Sequence, residues 1–194
     1  MRAGWGRAAR RTTGAALLAA LLAGCGGHYR PVSDAPVRLG RPYVVRGVTY
    51  TPAVDSSYDM LGYASWYGGE SGNRTALGER FRAKWVTAAH PTLPLPSYVE
   101  VTALDTGRVI LLRVNDRGPF ARDRLIDLSR GAAELLGVRA RGHVAVRVRV
   151  VEPPERDRAR LRRGRPAAPR PDVSPEVVAN LRAQLDTGLR AIGR

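Results

Sequence analysis

Cysteine, lysine and histidine are almost missing from this sequence: one, one and three among 194 residues. A lone cysteine, Cys25, excludes any intramolecular disulfide. Three scattered histidines beside that one cysteine form no cluster at metal-ligand spacing, so neither a metal nor another cofactor is expected. A phosphate-cradling loop of the G-x-x-x-x-G-K type is absent, as is any internal repeat. The apolar stretch 14–23 is too short to cross a bilayer as a permanent helix. With Lys84 the only lysine, arginine carries the positive charge, and the formal net charge is +15. Such a chain is drawn to anionic polymers and lipid head groups. Its length allows one ordinary domain plus tails, and fourteen prolines and twenty-one glycines assign much of it to turns or linkers.

The N-terminus redirects the charge away from nucleic acid. Arg2, Arg7, Arg10 and Arg11 precede the apolar stretch, the layout of an export signal. Leu22-Ala23-Gly24-Cys25 then looks like a lipobox, whose cysteine receives a diacylglycerol as the chain is cut before it. We therefore expect a signal peptide over 1–24, lipidation at Cys25 and attachment to the periplasmic face of a Gram-negative envelope. Gly26 rather than Asp after the cysteine favours the outer membrane over the inner one. An exported, lipid-tethered protein meets cell wall and lipid, so no nucleic-acid partner is expected.

Residues 25–41, rich in Gly, Pro, Ser and Asp, read as a flexible tether. Residues 43–50, β-branched and aromatic around Gly47, read as a short hairpin. Strands are expected at 62–68, 85–89, 98–104, 108–114, 125–128 and 143–151, the last alternating valine with Arg147 and Arg149. Ser129 is placed to cap a helix over 130–136 that Gly137 ends. The expected fold is mainly β: a six-stranded closed barrel over 42–152, closure removing sheet edges from a small domain without disulfides. Residues 153–173 are Arg/Pro/Ala-rich and are expected to be a disordered linker. Ser174-Pro175-Glu176 starts an amphipathic helix over 174–194, with Val177, Val178, Leu181, Leu185, Leu189 and Ile192 on one face. That face suits docking on the barrel or binding an envelope or divisome protein.

Two stretches carry candidate chemistry. Thr75-Ala76-Leu77-Gly78-Glu79 supplies one acid; Asn115-Asp116-Arg117-Gly118-Pro119 places another between a strand end and a rigid turn. Cutting a glycosidic bond requires an acid to protonate the leaving oxygen and a second group to stabilise the anomeric cation or activate the attacking hydroxyl. Glu79 and Asp116 are candidates for these roles and His90 for a tuning group. Trp66, Tyr67 and Trp85 offer flat faces for sugar rings or for core packing; Asn115 and Arg117 add an amide and a guanidinium.

The ordered series of motifs resembles the rare lipoprotein A (RlpA) family over roughly residues 61–151. It runs from Gly62-Tyr63-Ala64-Ser65-Trp66-Tyr67-Gly68 through Thr87-Ala88-Ala89-His90-Pro91 and Val114-Asn115-Asp116-Arg117-Gly118-Pro119-Phe120 to Ile126-Asp127-Leu128-Ser129. The resemblance implies a double-psi β-barrel, similar to those of expansins and one endoglucanase family. It also implies a lytic transglycosylase acting on peptidoglycan glycan strands, preferentially those stripped of stem peptides. Such enzymes cut between N-acetylmuramic acid and N-acetylglucosamine; the muramic acid's 6-hydroxyl attacks, leaving a 1,6-anhydro end without consuming water. By motif, Glu79 and Asp116 match the family's acids and His90 its histidine, and Asp116 is the expected proton donor. Departures occur at Leu77, where many members have Ser or Asn, at Arg82, and in residues 69–74, which lack the usual histidine. No SPOR domain is recognisable, so septal targeting is not carried over. The competing expectations are a non-catalytic, expansin-like wall binder and a structural tether between membrane and wall.

Overall fold

The computed structural model describes residues 29–68 and 72–192, the last four of them by backbone alone. The expected signal peptide and Cys25 lie outside the described residues, as do the side chains of Leu189 and Ile192. Eight strands and three helices follow in order: β1 (Tyr43–Val45), β2 (Val48–Tyr50), β3 (Asp59–Tyr67), β4 (Thr87–Ala89), β5 (Ser97–Ala103), β6 (Val109–Asp116), β7 (Ile126–Ser129), α1 (Arg130–Leu136), β8 (Val144–Val150), α2 (Glu155–Arg162) and α3 (Pro175–Ile192).

Six strands close a barrel in the order β3-β7-β4-β6-β5-β8. The β3/β7 and β4/β6 pairs are parallel and the other four antiparallel. Strict alternation along β8 explains its place. Val144, Val146 and Val148 are buried, while Arg147 and Arg149 face outward to the carboxylates of Asp59 and Glu100. Val99, Val101, Leu112, Val114, Ile126 and Leu128 complete the interior. Closing the sheet satisfies every strand edge, which a barrel of this size needs.

Local signals set the connections. Ser129 Oγ accepts the Ala132 N–H at 3.1 Å to start α1, and Gly137 at φ 78° ends it. Gly131 has no room for a side chain: a Cβ would stand 2.2 Å from the Lys84 carbonyl oxygen, so α1 lies directly against the approach to β4. The β1–β2 hairpin turns on Arg46 and Gly47, both at positive φ, as a two-residue hairpin requires.

Two segments expected to be loose are ordered. The tether's described part is a strap: Arg38 and Leu95 exchange backbone hydrogen bonds of 2.6 and 2.8 Å. Asp34 accepts from Tyr98 Oη and Arg113 Nε and pairs with Arg162 of α2. Within 153–173, α2 buries Leu161 to 1% exposure in the barrel's own core, and Ala167 follows it. Asp157, equally buried, accepts from the Ala168 N–H and pairs with Arg170 at 3.2 Å. Composition misled because it treats arginine as solvated. Here the acids that neutralise it are interleaved, with Glu155 and Asp157 in the first turn and Arg160 and Arg162 in the last, as the helix dipole favours.

The C-terminal helix docks on the barrel. Leu181 and Leu185 pack on Leu104 with Leu61, Tyr63 and Ala145, and Arg182 Nε donates to the Leu104 carbonyl at 2.8 Å. Leu181 and Leu185 are thus buried against the chain itself, while Val177 stays exposed.

If 153–173 is part of the fold, Leu161→Ala should lower unfolding free energy by about 2–4 kcal/mol in urea titration. A disordered linker would leave the midpoint unchanged.

Candidate active site

Three neighbouring strand ends form the floor of a cleft of about 410 Å³. Ala89 on β4 pairs with Asp116 on β6 on one side and with Asp127 on β7 on the other. All three line the cleft, with Tyr67, Arg74, Arg117, Phe120 and Arg124. Two strand spacings separate the acids, so their Cα atoms stand about 10 Å apart. The small side chain of Ala89 leaves the space between them open. One wall is the β1–β2 hairpin, whose Tyr43 and Tyr50 pack edge-on against Phe120 at 6.1 and 5.6 Å. This brings Val45 and Arg46 to the rim.

Asp116 is held by backbone amides. Its Oδ1 accepts from the N–H of Ala76 at 2.7 Å and of Arg117 at 2.8 Å. Oδ2 has no protein partner among the described residues. Burial pushes its carboxyl above the usual range of 3.8; the two amides and the Arg117 charge oppose this without cancelling it. The chain leaves β6 through Gly118 at φ 122°, a conformation that only glycine adopts easily, and this sharp exit keeps Asp116 at the mouth.

Glu79 stands elsewhere. The sequence suggests that both motif acids share one groove, but the Glu79 side chain is 1% exposed and fully engaged. Its carboxylate accepts from both terminal nitrogens of Arg113 at 2.8 and 2.9 Å and from Asn115 Nδ2 at 2.8 Å. Arg113 points from β6 to the outer face of the barrel, opposite Leu112 and Val114, where the strap and the 75–79 turn bury it, and a buried guanidinium must have a counter-charge. What Glu79 does for the cleft is indirect. It fixes the turn in which Gly78 N–H bonds Thr75 O and Leu77 N–H bonds Asn115 O, and that turn delivers the Ala76 amide to Asp116. Leu77, at the departure from the family pattern, is buried in the core cluster.

His90 is also an anchor. Its Nδ1 accepts from the N–H of Thr92 and of Leu93, so the ring proton sits on Nε2, 2.9 Å from Tyr58 Oη. Burial, reinforced by Arg117, pushes its pKa down to about 3, so it is neutral at working pH. The backbone of His90 ties β4 to β6, its N–H bonding the Asp116 carbonyl at 3.0 Å.

The remaining sequence candidates divide. Tyr67 lines the cleft, stacked on Phe81; burial first, then the charges of Asp116 and Asp127, hold its phenol well above its ordinary range. Arg117 lines it too, but its guanidinium donates to the carbonyls of His90, Leu93 and Leu39. Trp66, Trp85 and Asn115 do not line it. Trp66 Nε1 donates to the Arg139 carbonyl, and Trp85 is covered by the Arg82 guanidinium and closely backed by Gly164. These tryptophans serve packing, the alternative that their type leaves open.

Sequence reasoning missed Asp127, Arg124, Arg74 and Arg46 as cleft residues. The available signal was an acid set inside a four-residue strand between Ile126 and Leu128. Among the described residues, no group of three His, Cys, Asp or Glu side chains is arranged to hold a metal ion.

Residues 59–148 match the family described as "Lytic transglycolase". Proteins named endolytic peptidoglycan transglycosylase RlpA are similar to the chain. That of Pseudomonas aeruginosa UCBPP-PA14 is 51% identical over 128 residues, covering 65% of this chain and 37% of the relative. That of Rickettsia felis is 43% identical over 126 residues, covering 63% and 52%. The chain thus spans between about a third and a half of the length of these curated relatives. Among solved structures, Streptomyces papain inhibitor (SPI) aligns at TM-score 0.44 and 25% identity over 52% of this chain and all of that one.

A raised native pKa means that burial of charged Asp116 costs stability. The contribution favouring the fold is complete below the unfolded-state pKa and is lost as pH rises through the folded one. Asp116→Asn should therefore melt higher than wild type at pH 7, with the gap closing below the ordinary carboxyl value of 3.8. Melting curves at both pH values check this; a variant less stable at pH 7 contradicts the burial assignment.

Proposed function

We propose that this chain, whose residues 59–148 match the lytic transglycolase family and resemble the RlpA proteins, cleaves the glycan strands of peptidoglycan. The bond cut joins N-acetylmuramic acid to N-acetylglucosamine, and the product carries a 1,6-anhydro end. One observation carries the reading: Asp116 lines an open cleft with one carboxyl oxygen unpartnered among the described residues and a pKa raised by burial. A carboxyl of that kind retains its proton closer to neutrality and can give it to the glycosidic oxygen as the bond breaks. Glu79 and His90 act through position. One fixes the turn that hydrogen-bonds Asp116, and the other fixes the strand beside it.

The cleft suits a substrate without its own cation. Arg46 and Arg74 stand at its rim, so the free carboxylate of a muramic acid stripped of its peptide would meet positive charge there. We propose that the protein works at the periplasmic face of the outer membrane, lipidated on Cys25. The supporting observations are the arginine-led apolar segment and the Leu22-Ala23-Gly24-Cys25 motif. Among the described residues, no helix is long and apolar enough to cross a membrane.

A wall-binding protein without catalysis is the second reading. It is favoured by the finding that, of the three motif residues, only Asp116 faces the cleft. Digestion separates the two. Denuded glycan incubated with the protein in ¹⁸O-water should release anhydro-ended fragments, by mass spectrometry, that carry no ¹⁸O at the new end. Asp116→Asn should slow release by about 10²- to 10⁴-fold with the melting transition intact. Pelleting with glycan but no fragments from wild type would establish the binder instead.

A further inference from the structure

The strap leaves little free chain between Cys25 and the barrel. Of the tether expected over 25–41, the part from Tyr29 onward is bound. Arg30 N–H donates to the Gly78 carbonyl at 2.7 Å, and the Arg80 guanidinium lies over the Tyr29 ring, 5.7 Å from its centroid. Residues 26–28 alone separate Cys25 from Tyr29. Four Cα steps of at most about 3.6 Å give a reach of no more than about 14 Å. With Cys25 lipidated, a barrel on so short a leash turns the face around Tyr29 toward the membrane.

That face is basic. Arg30 lies across the 75–79 turn, where a Cβ on Gly78 would stand 2.9 Å from its Cδ. Arg80, Arg82 and Lys84 follow on the way to β4, all exposed. Arg82 covers the Trp85 ring at 4.7 Å, and a Cβ on Gly164 would stand 2.3 Å from the same ring. The C-terminal end of α2 therefore joins this face, with exposed Arg163 and Arg165 on either side of Gly164. Arg162 ties α2 to the strap by pairing with Asp34. None of the six outward cations is ion-paired among the described residues. The acids of the same segments are already engaged: Glu79 and Asp34 by Arg113, Glu155 by Arg162 and Asp157 by Arg170.

We propose that this face binds the anionic phospholipid surface of the membrane that holds the anchor, so that the barrel works lying against that membrane. The proposal rests on the lipidation reading and goes beyond it: an anchor fixes where the chain is held, not how it lies. One lipid-linked site and a basic patch are together the pair of signals that gives stable attachment. Attraction to an anionic leaflet acts over about 8–10 Å, a distance comparable with the leash. Tyr29, 38% exposed, adds an amphipathic ring suited to the head-group level. The glycan strand is the competing anionic partner, but the leash selects this face for lipid and none of the six cations lines the cleft. Arg74 at the cleft rim bridges to Arg80, so the bound face borders the cleft and leaves it open.

The test uses the chain purified from membranes and reconstituted in vesicles of phosphatidylcholine alone or mixed equally with phosphatidylglycerol. Intact mass reports the lipid on Cys25, and amide hydrogen exchange maps the covered face. Anionic vesicles should slow exchange at 78–85 and 162–165 by at least about tenfold relative to neutral ones. Salt at about 1 M, which cuts the screening length to about 3 Å, should erase the difference. Replacing Arg80, Arg82, Arg163 and Arg165 together by Gln should erase it too, with the melting transition intact; if that variant does not fold, the salt series on wild type decides. Equal exchange in the two vesicles with lipid present on Cys25 would overturn the bound face and leave lipidation standing. An unmodified Cys25 would overturn both. Protection of the same amides by denuded glycan and not by anionic vesicles would overturn lipid as the occupant.

Discussion

A single buried guanidinium organises this molecule. Arg113 is 1% exposed, and leaving a charge there unmatched would cost several kcal/mol. It is matched from three directions: Glu79 takes both terminal nitrogens, Asp34 accepts from Nε, and the Ser33 carbonyl accepts from Nη2. Each partner belongs to a segment that lies outside the barrel strands. Through Asp34 the N-terminal strap is joined to the barrel and to Arg162 of α2; through Glu79 the turn at 75–79 is pinned beside β6. Burial alone would raise the Asp34 carboxyl, but hydrogen bonds from Tyr98, Arg162 and Arg113 outweigh it and hold the group below 3.8. The strap is accordingly secure at neutral pH and loosens only as pH falls through that depressed value.

The cleft follows from this core. Asp116 owes its orientation to an amide supplied by the Glu79 turn and to another from its own, while its other oxygen has no protein partner among the described residues. Oriented amides on one oxygen and burial around the other are a way to keep a carboxyl both fixed and reluctant to ionise. The parallel β4/β6 pairing and the antiparallel β4/β7 pairing set Asp116 and Asp127 on either side of Ala89. The crossed topology of the barrel therefore brings two acids from distant segments to one place, with an alanine between them as the floor.

Much of the fold was legible because the signals are local. Valine alternating with arginine marked β8, and Ser129 with Gly137 bracketed α1 within a residue. Long-range pairing was not legible. Nothing around Glu79 announces that Arg113 is buried on the outer face of β6 and needs a counter-charge, so an acid in a suggestive motif reads as reactive when its charge is already spent. Asp127 was the converse case: its apolar neighbours marked a strand, and only the register across β4 reveals that it opens into the cleft. Residues 153–173 failed for a related reason. Leu161 and Ala167 are too few to signal a core contact, and the ion pairs of Asp157 and Asp34 depend on partners far along the chain.

The claim that Glu79 holds the site together without taking part in the chemistry is tested most directly by Glu79→Gln, measuring turnover of denuded glycan per folded molecule alongside unfolding free energy. Loss of the counter-charge to Arg113 should lower stability by about 3–5 kcal/mol. Turnover of the folded fraction should stay within about tenfold of wild type, with an unchanged pH profile. A variant of wild-type stability whose turnover falls by more than about 10²-fold, or whose profile loses a limb, would show Glu79 to be a reacting acid and would contradict the account.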